Sequence, residues 1–145
     1  MKDSKPTLIV IGVLVVVVGI ALVAVKVFSG PSTADPEVLS RTGLHWHPEL
    51  TIFVKEERQG IPANIGISAV HNPVHTHDAT GVIHLEMQGL VKKSNTKLGV
   101  FFRVWNKTFA DFGTTTPRMT VNGVENIELL DYPMKDKDKI ELYFE

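Results

Sequence analysis

The longest apolar stretch runs from Leu8 to Val25, eighteen residues without a charge and with nothing more polar than Gly12 and Gly19. At about 1.5 Å per residue such a helix extends roughly 27 Å, near the hydrocarbon thickness of a bilayer, which predicts one membrane span through residues 8–25. A cleaved secretory signal is the competing reading. Its apolar core, however, is commonly about 7–15 residues and closes on a small-x-small site, of which Val27-Phe28-Ser29-Gly30 is a poor version. Lys2 and Lys5 precede the span and Lys26 alone follows it, so the positive-inside rule puts the N-terminus in the cytoplasm and the remainder outside. The expected organisation is a signal anchor over residues 1–29, a Gly/Pro/Ser/Thr linker over residues 30–38, and an extracytoplasmic domain over residues 39–145.

Within that domain the hydrophobic period changes twice. Leu50, Ile52 and Val54 alternate with Glu49, Thr51 and Phe53, the period-2 pattern of a half-buried strand. The polar stretch Lys55 to Gly60 then reverses the chain, and Ile61 to Ile67 is the expected return strand, with Pro62 marking its start or an edge. Gly81 to Gln88 alternates again, Ile83, Leu85 and Met87 on one face and Val82, His84 and Glu86 on the other. Leu98, Phe101, Phe102, Trp105 and Phe109 fall at i, i+3, i+4, i+7 and i+11, a helical stripe predicting a helix over 96–109 with Thr96 as N-cap. Phe102 and Trp105 are expected to be buried against the sheet face that carries Leu142 and Phe144. Arg118 to Asn122, the Asn122-Gly123 turn and an alternating strand ending in Ile140, Leu142 and Phe144 complete the order. One helix covering a partly antiparallel sheet is an α+β fold.

Val121-Asn122-Gly123, then Leu130-Asp131-Tyr132-Pro133-Met134-Lys135-Asp136, then Asp138-Lys139-Ile140 resemble the closing segment of β-grasp (ubiquitin-like) domains. The nearest kind is the ligand-binding module related to the C-terminal domain of transcobalamin. The resemblance covers the C-terminal third and implies a β-grasp-like sheet with one covering helix. Lys137-Asp138 stands where the family has Gly-Asp, and there is no C-terminal Gly-Gly, so no sulfur-carrier or modifier activity is implied.

Charge narrows the partners. Fifteen basic residues face sixteen acidic ones, and removing Lys2, Lys5, Lys26 and Asp3 leaves a domain near −3, without the cationic excess that phosphate neutralisation needs. Nucleic acid is not an expected partner; the bilayer is, through residues 8–25. The absence of cysteine excludes disulfides, Cys-ligated zinc, iron–sulfur clusters and a blue-copper thiolate. Any metal must be held by nitrogen or oxygen.

All six histidines, at 45, 47, 71, 75, 77 and 84, lie in one forty-residue window. They form His45-x-His47, His71-x3-His75-x-His77 and His84-x-Glu86, with Asp78 beside the second group. Residues i and i+2 of a strand project from one face, so each x-separated pair can offer two ligands to one ion. If the strand continued unbroken through Pro48, His45 and His47 would lie opposite Leu50, Ile52 and Val54; His84 and Glu86 lie opposite Ile83 and Leu85 by the same parity. Neutral imidazole is the commonest ligand for zinc and copper. His45, His47, His75, His77 and His84 are therefore the expected ligands of copper(II) or zinc, and His71, set apart by Pro73, the expected bystander. A buried hydrogen-bonded network of the same histidines with Asp78 and Glu86 is the metal-free alternative.

His45-Trp46-His47-Pro48, Ile61 to Ile67, His75 to Glu86 and Leu98 to Trp105 together are similar to a family of functionally uncharacterised, N-terminally anchored archaeal and bacterial proteins, which implies no established reaction. His75-x-His77 with Glu86 partly matches cupin dioxygenases, but the second cupin motif is missing. No Gly-x-Ser-x-Gly, His-Glu-x-x-His or phosphate-binding Gly-rich loop occurs. Lys135 to Lys139, with lysines alternating with Asp136 and Asp138, reads as an exposed loop that would repel calcium. The expected function is metal binding by an accessory or carrier module; the alternatives are a metal-free module docking a membrane partner and, behind it, a cupin-like metal-dependent oxidoreductase.

Overall fold

The computed structural model describes residues 35–145. No helix in these residues is long and apolar enough to cross a membrane; the expected span and most of the linker lie outside the described residues. The elements are β1 (Val38–Ser40), β2 (Leu44–Trp46), β3 (Glu49–Val54), β4 (Glu57–Gln59), β5 (Val74–His75), β6 (His84–Met87), β7 (Val91–Lys92), α1 (Leu98–Trp105), β8 (Arg118–Val121), β9 (Val124–Glu125) and β10 (Lys139–Phe144). The architecture is α+β, with one α-helix among the described residues.

The strands form three sheets in place of the single sheet expected. A five-stranded sheet has the order β4-β3-β10-β8-β9, a three-stranded sheet the order β2-β6-β5, and β1 pairs β7. The central pair β3 and β10 is parallel, Glu49 opposite Lys139 through Val54 opposite Phe144, and β8 runs antiparallel to β10. Alternation places Leu50, Ile52, Ile140, Leu142 and Phe144 on one buried face.

The hairpin after β3 is tighter than the sequence pattern indicated. Lys55 and Glu56 both have positive φ (48° and 68°), as in a two-residue type I′ turn, and the return strand is Glu57–Gln59 rather than Ile61 to Ile67. Its side chains, Glu57, Arg58 and Gln59, are all polar and carry no apolar alternation, which is why it reads as a loop. Residues 61–67 form turns instead. They press Ile61 and Ile65 into the core and clasp the buried Thr76, whose hydroxyl donates to Pro62 O (3.0 Å) and accepts from Ile65 N (3.1 Å).

The helix is shorter than its apolar stripe. Lys97, not Thr96, is the N-cap; Thr96 is buried with its hydroxyl on Lys93 O, and the tertiary bond from Leu98 N to Tyr132 O (2.9 Å) serves one free N–H of the first turn. Asn106, at φ 57°, closes the helix in the left-handed region that asparagine tolerates. Phe109 therefore falls in a separate 3₁₀ turn, Phe109–Phe112, where the Thr108 N–H and hydroxyl bond Asp111. Phe102 is buried, but Trp105 is only half-buried at the rim, beside Phe112.

Asp138 corrects the expectation of an exposed Lys/Asp loop. It is 5% exposed, and its carboxylate accepts from Tyr132 Oη (2.7 Å), Lys135 N (2.8 Å) and Asn122 Nδ2 (3.0 Å). Burial, followed by this bond to Asp138, pushes the Tyr132 hydroxyl pKa well above its ordinary value, so the phenol stays protonated as the donor. Asp138→Ala is expected to cost about 2–3 kcal/mol, because a buried phenol and two further donors lose their acceptor. Urea unfolding measures it; a change within 0.5 kcal/mol, a typical surface effect of roughly that size, would show the loop to be held otherwise.

Candidate metal centre

The three-stranded sheet builds the site by register. In its central strand β6, Leu85 is fully buried, as is Ile83 just before the strand, so His84 and Glu86 project from the opposite face. On one flank His45 of β2 lies directly opposite Glu86; on the other His75 of β5 lies directly opposite His84. Opposed side chains begin about 4.5–5.5 Å apart at Cβ, so these four residues form two cross-strand pairs at successive levels of one face, His45 with Glu86 and His84 with His75. His47 and His77, each two residues beyond a member of those pairs, continue the cluster.

The chain does not run as one strand from His45 to Val54. It breaks at Pro48, which has no N–H for a ladder, and passes from the three-stranded to the five-stranded sheet. The parity argument through Pro48 therefore fails for His45 and His47, which reach the cluster by pairing with β6. Backbone ties hold the two sheets together here: Ile83 N donates to Pro48 O (2.8 Å) and Leu50 N to Gly81 O (2.9 Å). Gly81, at φ 95°, has no room for a side chain, since a Cβ would lie 2.4 Å from Leu50 O.

The imidazoles converge. His45 Nε2 and His47 Nε2 are 3.1 Å apart and His75 Nε2 and His77 Nε2 3.2 Å apart. The His84 ring lies 4.8 Å from that of His47, 4.5 Å from that of His77 and 5.4 Å from that of His75. Glu86 Oε1 is 3.1 Å from His45 Nε2 and 3.9 Å from His84 Nδ1. Among the described residues two groups could hold a metal ion: His75, His77, His84 and Glu86, and His45, His47 and His84, with the ligand atoms of each group within 4.8 Å of one another. Two nitrogens on one ion at about 2.0–2.1 Å are separated by about 2.8–3.4 Å for angles between square-planar and tetrahedral, and both Nε2 pairs fall in that interval.

Protons are placed for coordination. The fully buried His75 has Nδ1 at 2.9 Å from Asn72 O; a carbonyl only accepts, so Nδ1 carries the hydrogen, and Nε2, which faces His77, is the nitrogen left to ligate. Such a backbone acceptor behind the ring is the usual support of a metal-ligating histidine. His84 Nδ1 is buried without a hydrogen-bond partner. Desolvation, followed by the neighbouring His77, His47 and His75, lowers the His84 pKa from the ordinary 6.5 and favours the neutral form that ligates.

That shift has a definite sign. Above pH 6.5 His84 is neutral folded or unfolded; below it the unfolded chain takes up a proton that the fold resists, so stability falls until the lowered folded pKa is passed. With a chelator present, unfolding midpoints should decline as pH drops from 6.5, and less steeply for His84→Gln. Identical slopes for the two chains would remove His84 as the source.

Of the remaining sequence candidates, His71 is exposed, with its ring 5.9 Å from that of His75, and belongs to neither group. Asp78 caps its own loop, accepting from Thr80 N (2.9 Å) and from the Thr80 hydroxyl; these bonds hold its pKa below the ordinary carboxylate value. Two acidic residues outside the expected ligand set enter the picture. Glu86 joins the first group, as its i+2 spacing from His84 allowed. Asp136 accepts from His47 N (2.8 Å) and lies 3.8 Å from His47 Nδ1, a contact across 89 positions that no local spacing signals. Comparison of the chain with protein-family models, with curated proteins and with solved structures finds no match.

Proposed function

We propose that this chain is a membrane-anchored, outward-facing module that binds a transition metal through its histidine sheet, as an accessory or carrier protein. The observation that carries the reading is His75: a fully buried imidazole, its Nδ1 proton committed to Asn72 O and its Nε2 lone pair 3.2 Å from a second imidazole nitrogen. Four donors, His75, His77, His84 and Glu86, suffice for a closed four-coordinate centre, which favours holding an ion over catalysis at it. Copper(II) leads zinc, since nitrogen sites follow the Irving–Williams order. A β-grasp scaffold is supported by the strand order β4-β3-β10-β8-β9 with a parallel central pair, in which the N-terminal hairpin, the helix and the C-terminal strands surround one core.

The short Nε2 contacts also suit a hydrogen-bonded network, in which one ring of each pair donates and the other accepts. Calorimetry on the demetallated chain separates the two readings. Metal binding should release heat with copper(II) and with zinc, with affinity falling steeply below about pH 6 as the imidazoles protonate. No heat with either ion would leave the network and, with it, a metal-free docking module.

A further inference from the structure

Resting on that reading, we infer that the cluster holds two metal ions, joined by His84. Five imidazoles and one carboxylate are more donors than one four-coordinate ion accepts, and they fall into two groups whose one common member is His84. His45 and His47 lie on the β2 flank of β6 and His75 and His77 on the β5 flank, so the two pairs approach from opposite sides with His84 between them, its ring beside both His47 and His77.

His84 has the chemistry for the junction. Its Nδ1 is buried and unpartnered, its side chain is only 21% exposed, and imidazole offers a second nitrogen on the far side of the ring. With one ion on one nitrogen, a second ion arriving at the other displaces the remaining N–H proton, which passes to bulk water, and the resulting imidazolate keeps one lone pair for each ion. The His75 group, with four donors, makes a closed centre. The His45 group, with three donors, leaves one coordination position of a four-coordinate ion unfilled, where an incoming ligand of a donor or acceptor protein can exchange. The added positive charge is opposed by Glu86 inside the cluster, by Asp136 behind His47 and by Asp78, adjacent in sequence to His77.

Copper(II) titration of the demetallated 145-residue chain tests this, followed by native mass spectrometry and by the integrated electron paramagnetic resonance signal. Two ions per chain are expected, the second addition lowering the signal per copper because the spins couple through the bridging ring. A chain carrying both His45→Ala and His47→Ala, which removes two side chains that are not buried, should lose one of the two equivalents and retain an uncoupled signal from the other. Saturation at one ion, or two ions with the full signal of isolated centres, overturns the bridged pair while leaving metal binding intact. Failure to bind any copper overturns the metal-binding reading itself.

Discussion

Replacing His75 with alanine is expected to lower the metal affinity of the chain by about two to three orders of magnitude. Structural zinc sites in small peptides contribute about 10–16 kcal/mol over four ligands, so loss of one ligand removes about 2.5–4 kcal/mol, and each 1.4 kcal/mol is about tenfold. His75 is the most constrained member: fully buried, bonded behind by Asn72 and facing His77. Competition titration against a chelator of known affinity reads the change, with unfolding of the metal-free chain as the control for folding. His71→Ala, at a ring outside both donor groups, supplies the comparison and should bind as the parent does. Equal affinity for both variants would mean that the metal does not sit at this sheet.

Phe102→Ala is expected to destabilise the domain by about 3–5 kcal/mol, as a large-to-small change at a site too tightly enclosed to collapse. Phe102 is 2% exposed and sits among four aromatic neighbours, with ring centroids 6.0 Å from Phe101, 5.9 Å from Trp105, 5.1 Å from Phe109 and 6.3 Å from Phe112. Phe109 and Phe112 in turn touch Phe144 of β10, at 5.5 Å and 5.2 Å, so the helix reaches the five-stranded sheet through a relay of rings. Chemical denaturation measures the loss. A value below about 1 kcal/mol, closer to the effect of a surface change, would show that the helix does not cover the core. Trp105→Ala, at the half-buried end of the same stripe, should cost less.

Where a side chain's environment followed from its neighbours along the chain, the pattern was readable. Alternation placed Leu50, Ile52, Leu142 and Phe144 inside and turned His84 and Glu86 away from Ile83 and Leu85; Asn122-Gly123, both at positive φ, is the hairpin turn its dipeptide indicates. Where the environment came from a distant segment, the pattern misled. Ile61 and Ile65 are apolar because they enter the core from a turn segment, not because they lie in a strand. Asp138 occupies a charged stretch, yet its partners Tyr132 and Asn122 come from outside it. The histidine clustering and its same-face pairs, and with them the expected convergence, were legible in the sequence; the contacts that achieve it were not, since His45 meets Glu86 through antiparallel register and His47 is pinned by Asp136, both set by tertiary pairing.

The parallel pairing of β3 with β10 joins residues 49–54 to residues 139–144, segments about ninety positions apart, and this separation sets the kinetics of folding. Closing so long a loop precedes any gain from the contacts it brings, and domains dominated by such distant pairings fold on the millisecond-to-second scale. The four donors His75, His77, His84 and Glu86, by contrast, lie on β5, β6 and the short connection between them, and local hairpins form in about 1–10 μs. These four donors are therefore expected to come together before the large sheet is complete, and on the proposed metal-binding reading metal present from the start is expected to accelerate the slow phase in stopped-flow refolding; equal rates with metal and with chelator would separate the site from the folding barrier.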